Sequence, residues 1–89
     1  MSEILVQQSM TLRLEVQQST TVLPRCLQIL SRRGFVLTHL KTTETDTSAV
    51  LMLTVRGPVR WQQALPRLLS RLVDVNAVSV VAVEGAAHE

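Results

Sequence analysis

Tyrosine is absent from this 89-residue chain, and Phe35 and Trp61 are its sole aromatic side chains. Any core must therefore be aliphatic, built from leucine and valine. Cysteine occurs once, at Cys26, which excludes an internal disulfide or a metal cage made by cysteines alone. A reducing, cytoplasmic setting is the expectation. The longest apolar runs, Ala49–Leu53 and Val80–Val83, fall far short of the ~20 residues that cross a bilayer, so no membrane helix is expected. Met1-Ser2-Glu3 offers no basic start before a long apolar stretch, so no signal peptide is expected. The three glycines are isolated, which excludes a Gly-rich phosphate loop. Charged residues make up 18% against 46% hydrophobic, a balance that excludes a disordered tail.

What remains suits one domain. A chain of this size can hide roughly 60–65% of the surface its unfolded form exposes. Net charge is +2, with arginine supplying every basic side chain except Lys41. Two surplus charges do not by themselves make a nucleic-acid binder.

Residues 1–9 are polar or mixed and read as a lead-in, residues 10–84 as the domain, and residues 85–89 as a tail. From Met10 to Val16 the chain alternates strictly. Met10, Leu12, Leu14 and Val16 face one way, and Thr11, Arg13 and Glu15 the other, the mark of a half-buried strand. Gln17–Thr21 is a polar break in which Ser19, Thr20 or Thr21 can cap a helix. Pro24 is expected in that helix's first turn, where its missing donor costs nothing. Leu23, Cys26, Leu27 and Leu30 fall at i, i+3, i+4 and i+7 and predict its buried face. Arg32 and Arg33 suit the C-terminal end of the dipole, and Gly34 the left-handed stop.

Phe35–Thr42 and Ser48–Val55 read as strands around the polar turn Thr43–Thr47, with Arg56-Gly57-Pro58 ending the second of them. A second helix is expected over about Val59–Leu72, its apolar stripe formed by Trp61, Leu65, Leu68, Leu69 and Leu72. Pro66 predicts a kink or a short 3₁₀ entry up to Ala64. The last strand is expected from Ala77 to Val83. The order β-α-β-β-α-β predicts an α+β, ferredoxin-like split βαβ fold, a four-stranded antiparallel sheet with two helices on one face. The uncovered face would carry Arg13, Val50, Met52, Val81 and Val83, a mixed polar and aliphatic patch that suggests a subunit interface.

Known uses of this topology can be tested on the residues, since fold does not fix function. Base stacking needs aromatics on the central strands, and the predicted first and third strands have none. A metal carrier needs paired cysteines in the first loop, which here is Gln17–Thr21. His39 and His88 form no metal pair, and Glu44 and Asp46 form no positioned acid–base dyad. Cys26 sits on the apolar stripe and reads as packing. No catalytic residue or metal site is expected. Arg60, Arg67 and Arg71, at i, i+7 and i+11, would form a phosphate-tracking stripe or a solvated helix face.

Two stretches are recognisable. Val22-Leu23-Pro24-Arg25 with Leu30-Ser31-Arg32-Arg33-Gly34-Phe35 resembles the first helix and turn of ACT domains, small regulatory modules of which many bind amino acids. Leu69-Ser70-Arg71-Leu72-Val73-Asp74-Val75, leading into Ala77-Val78-Ser79-Val80, resembles the second helix and last strand of one ACT branch, the small subunits of acetolactate synthase (acetohydroxyacid synthase). A single ACT domain without a C-terminal extension is similar to the isozyme II form. The resemblance spans about residues 10–83.

It implies a non-catalytic subunit that binds and activates a large subunit carrying thiamine diphosphate, magnesium and FAD, on the route to branched-chain amino acids. It implies no cofactor in this chain, a homodimer of ACT domains, and neither a nucleic-acid nor a membrane partner. Valine-sensing members commonly carry an Asn early in the first loop, a Gly before the helix and an Asn after the Gly-aromatic turn. The matching positions here are Gln18, Thr21 and Val36, so the effector site over Gln18, Ser19, Thr20, Thr21 and Val36 is degenerate. A Thr21 side chain obstructs the approach of a carboxylate to the helix N-terminus, and Val36 offers no polar partner. Weak or no valine feedback is the expectation. The competing readings are a free-standing ACT-type sensor binding an amino acid between protomers, and a nucleic-acid binder using the arginine stripe.

Overall fold

The computed structural model describes residues 7–17 and 19–85. Strands β1 (Gln7–Val16), β2 (Val36–Glu44), β3 (Ala49–Pro58) and β4 (Val75–Gly85) combine with helices α1 (Ser19–Arg32) and α2 (Ala64–Ser70). A 3₁₀ turn over Val59–Trp61 precedes α2. The sheet is antiparallel in the order β2-β3-β1-β4. This is the α+β, ferredoxin-like βαββαβ arrangement, with α1 against β2 and β3 and α2 against β4.

The two central strands meet comb to comb. Met10, Leu12, Leu14 and Val16 of β1 lie opposite Val55, Leu53, Leu51 and Ala49 of β3, and all eight are buried. Each leucine fully buried this way contributes roughly 1.5–3 kcal/mol. Val22, Cys26 and Leu30 of α1 and Leu65 and Leu69 of α2 close the core from the helical side.

The exit from α1 is a Schellman turn. Gly34 takes φ 81°, the Gly34 N–H donates to the Ser31 carbonyl at 3.2 Å, and the Phe35 N–H donates to the Leu30 carbonyl at 2.8 Å. Phe35 then lies over Gly57 of β3, where a Cβ would collide with its ring. That glycine lets the single phenylalanine fasten the end of α1 to the end of the sheet.

Several boundaries and faces differ from the sequence expectations. β1 already runs from Gln7. Pro24 is the sixth residue of α1, beyond its first turn. Leu27 is 40% exposed, while Val22, Cys26 and Leu30 face inward, with Leu23 and Ile29 packed beside them. The stripe is rotated because α1 starts at Ser19 and the well-buried positions follow i, i+4 and i+8. Strand β3 continues through Arg56-Gly57-Pro58, since β1 extends far enough to pair with it. Pro66 is the third residue of α2, where its missing N–H has no intrahelical partner. The helix expected over Val59–Leu72 is thus a 3₁₀ turn and a seven-residue α-helix.

Strand β4 begins at Val75 and carries two register shifts. Thr11 pairs with Ala82 and Leu12 with Val80, leaving Val81 as an extra residue. The shift turns Val83, expected on the open face, to the helical side opposite Met10. Ala82 takes its place on the open face, opposite Thr11.

The rotated stripe of α1 sets a stability contrast. Leu30→Ala should cost about 2–5 kcal/mol, as a cavity in a well-packed core. Leu27→Ala should cost under about 1 kcal/mol, as a partly exposed substitution. Urea titrations of the two variants would check the difference, and equal losses would contradict the placement.

Candidate functional site

The start of α1 is tied to the loop that leads into β4. The Gln17 N–H donates to the Asp74 carbonyl at 2.9 Å, and the Thr21 hydroxyl donates to the Asp74 carboxylate at 3.1 Å. The Gln17 side-chain amide N–H donates to the Asn76 side-chain oxygen Oδ1 at 3.5 Å. A carboxylate of the chain itself therefore lies beside the first turn of α1, where the positive end of the helix dipole favours negative charge. A ligand carboxylate brought to the same turn would meet Asp74 as a like charge. Residue typing did not single out Asp74 as a site residue; its one signal was its place in the Leu-Val-Asp-Val stretch.

Beside this turn lies a polar cleft of about 310 Å³, lined by Gln17, Thr20, Glu44, Thr45, Asp46, Thr47, Ser48 and Ala49. Its far wall is the tight β2–β3 turn, held by the Thr45 N–H donating to the Ser48 carbonyl at 2.8 Å. Glu44 and Asp46 make the cleft acidic, so it repels carboxylates and suits cationic groups.

The expected effector set is only partly assembled. Thr20 and Thr21 sit together in the first turn of α1. Gln18 lies outside the described residues. Val36 is 62% exposed at the start of β2 and pairs with Arg56, at the opposite end of the sheet from the α1 N-terminus. One chain does not join Val36 to the threonines.

The open sheet face is more polar than expected. Arg13 is ion-paired with Glu15 at 2.5 Å on the same side of β1, and the Thr11 and Thr54 hydroxyls meet at 3.1 Å. Val50 and Met52 lie half-buried among these groups, opposite Glu15 and Arg13. Exposed aliphatics gather instead along β4 and the loop before it, at Val73, Val80, Val81 and Val83. A groove of about 470 Å³ runs between this edge and α2, lined by Met10, Gln62, Gln63, Pro66, Arg67, Val80 and Val83. The bulge at Val81 brings Val80 and Val83 to the same side, and no sequence pattern marked it.

The arginine stripe does not form. Arg60 lies in the 3₁₀ turn, Arg67 in α2 and Arg71 just beyond it, so no continuous helix aligns them. Arg60 instead lies 5.9 Å from the centre of the Trp61 ring, and Arg33 lies 5.0 Å from it. No group of three His, Cys, Asp or Glu side chains among the described residues could hold a metal ion. His39 is exposed on β2 beside the Thr38 hydroxyl, and His88 lies outside the described residues. Among the described residues, no helix is long and apolar enough to cross a membrane.

No protein-family model matches the chain, and comparison with curated proteins finds no match. Solved structures do share its fold. The ACT domain of GTP pyrophosphokinase from Chlorobium tepidum superposes with a TM-score of 0.67 at 11% identity, over 82% of this chain and 96% of that one. The C-terminal domain of the MgtC protein from Mycobacterium tuberculosis gives 0.66 at 19% identity, over 93% and 90% of the two chains. A homoserine dehydrogenase from Thiobacillus denitrificans gives 0.71 at 17% identity, over 89% of this chain and 18% of that enzyme. At such identities the likeness is one of fold alone, the ferredoxin-like fold that the ACT domain of GTP pyrophosphokinase also has.

Cys26 is fully buried in α1, and loss of hydration pushes its thiol from 9.0 up to about 11. An acid whose proton is held more tightly in the folded state loses stability as pH rises. The contribution is intact below pH 9 and falls between pH 9 and about 11, as the unfolded thiol ionises first. Iodoacetamide at pH 8 should leave the folded chain unmodified and alkylate it in denaturant. Rapid labelling of the folded protein would contradict the burial.

Proposed function

We propose that this chain is a non-catalytic regulatory module, the activating small subunit of acetolactate synthase, with little or no response to valine. The observation that carries the reading is the Thr21–Asp74 contact. It links the residue just before the first recognisable stretch to Asp74 of the second, and it supports a weak valine response because an internal carboxylate stands beside the turn expected to receive an effector carboxylate. The Arg33-Gly34-Phe35 part of the resemblance coincides with the Schellman turn and the Phe35–Gly57 packing. Both recognisable stretches are therefore structural fasteners of the domain.

Activation by such a module is a matter of differential affinity. It raises the rate by binding the active conformation of the large subunit more tightly than the inactive one. A preference of about 3 kcal/mol shifts that equilibrium more than a hundredfold. The chemistry, with thiamine diphosphate, magnesium and FAD, belongs to the large subunit. The small subunit pairs with a second copy of itself to meet a two-fold catalytic partner.

Adding the chain to the acetolactate synthase large subunit should raise the rate of acetolactate formation several-fold, and valine in the millimolar range should not reverse it. An unchanged rate would overturn the subunit reading. Calorimetric binding of valine in the micromolar range would instead favour an ACT-type sensor with a ligand between protomers. Self-association draws on the exposed β4 edge, so Val81→Lys should shift sedimentation towards the monomer while leaving thermal unfolding of the domain within a few degrees of the parent. Unchanged sedimentation would remove that edge from the dimer.

A further inference from the structure

The end of the molecule where α1 stops and β3 runs into the 3₁₀ turn concentrates positive charge. Arg32 closes α1, Arg33 follows it, Arg56 lies near the end of β3, and Arg60 lies in the 3₁₀ turn. Gly34 sits against Pro58, which draws these segments together. Arg33 and Arg60 both approach the Trp61 ring, at 5.0 and 5.9 Å. Neither has a carboxylate partner among the described residues, and the buried Arg33 Nε makes no hydrogen bond.

Among the described residues, acidic groups lie mostly elsewhere. Glu44 and Asp46 are in the β2–β3 turn, Asp74 stands before β4, and Glu15 is near the end of β1, all at the opposite end of the sheet. Glu84 is at the arginine end, but β1 separates it from Arg56, because Ser9 pairs with both.

A guanidinium held over a tryptophan ring is partly ordered before any partner arrives, so less entropy is lost when it takes a carboxylate in its fork. Trp and Arg are also the side chains that most often carry binding energy between proteins. Val36 and Val59, both exposed, sit beside Arg56 and Arg60 in the fold and add apolar area. A lone tryptophan flanked by two arginines gives no series of ring platforms for successive bases.

We propose that this Arg33–Trp61–Arg60 pole docks an acidic patch on a partner protein, with partner carboxylates seated on the two guanidiniums. The proposal rests on the regulatory-subunit reading and deepens it by naming the surface that meets the larger chain.

Binding of the intact chain to the acetolactate synthase large subunit tests it, by surface plasmon resonance at 50 and 300 mM salt. Arg60 is exposed, so Arg60→Glu should fold normally, with an unchanged melting curve. It should weaken binding about tenfold or more at low salt and flatten the salt dependence. Arg60→Lys, which keeps the charge but loses the fork, should fall between the two, and Arg33→Gln should act in the same direction. Arg71→Glu, at the other end of α2, should bind within about twofold of the parent chain. If the parent chain binds and Arg60→Glu binds equally well, the pole is not the docking surface while the subunit reading stands. If the parent chain does not bind at all, that reading fails and the proposal fails with it. Arg60-dependent binding of a short RNA, with large-subunit binding unaffected, would also overturn it.

Discussion

The alignment of two apolar combs governs this fold. β1 contributes Met10, Leu12, Leu14 and Val16, β3 contributes Ala49, Leu51, Leu53 and Val55, and the register sets them face to face. With only one phenylalanine and one tryptophan in the chain, little other bulk is available to fill the interior. A slip of β1 by one residue against β3 would send Met10, Leu12, Leu14 and Val16 to the open face and bring Arg13 and Glu15 under the helices. The desolvation of that charge pair in an apolar interior makes the native register the stable one. Everything on the open face, including the Arg13–Glu15 pair and the Thr11–Thr54 contact, follows from which side the combs occupy.

The same logic explains what could be read from the sequence. From Met10 to Val16 the β1 pattern alternates without exception, so its buried face was legible residue by residue. The Gly34 stop was equally legible, because a left-handed residue after two arginines has few other uses. α1 was harder. Its apolar positions Val22, Leu23, Cys26, Leu27, Ile29 and Leu30 cover more than half the helix, so spacing alone supports more than one inward direction. Packing against β2 and β3 selected Val22, Cys26 and Leu30 and left Leu27 at the rim. The end of β3 was hidden for another reason. Gly57 and Pro58 ordinarily end strands, yet here the glycine makes room for the Phe35 ring, and β1 reaches far enough to pair with the proline.

Sites were less legible than elements, because they depend on contacts between distant segments. Thr21 and Asp74 are more than fifty residues apart, and nothing local in either announces their hydrogen bond. Trp61 looked like one more member of an apolar helix stripe. The break between the 3₁₀ turn and α2 removed Arg60 from the line of Arg67 and Arg71 and brought it to the tryptophan beside Arg33. The helix break that Pro66 foreshadowed thus reorganised the surface charge: a stripe along one helix became a cluster at one end of the domain.

The extra residue at Val81 has a bearing on solubility. An eleven-residue border strand rich in valine is the sort of segment on which chains stack into fibrils, because its unpaired amides and carbonyls recur at a constant spacing. The inserted residue interrupts that spacing midway, and the earlier shift at Asn76 interrupts it again near the start. A copy approaching in plain extended form can match only a few consecutive groups before the pattern falls out of step. Short, geometrically particular contacts stay available along the border, while endless stacking is discouraged.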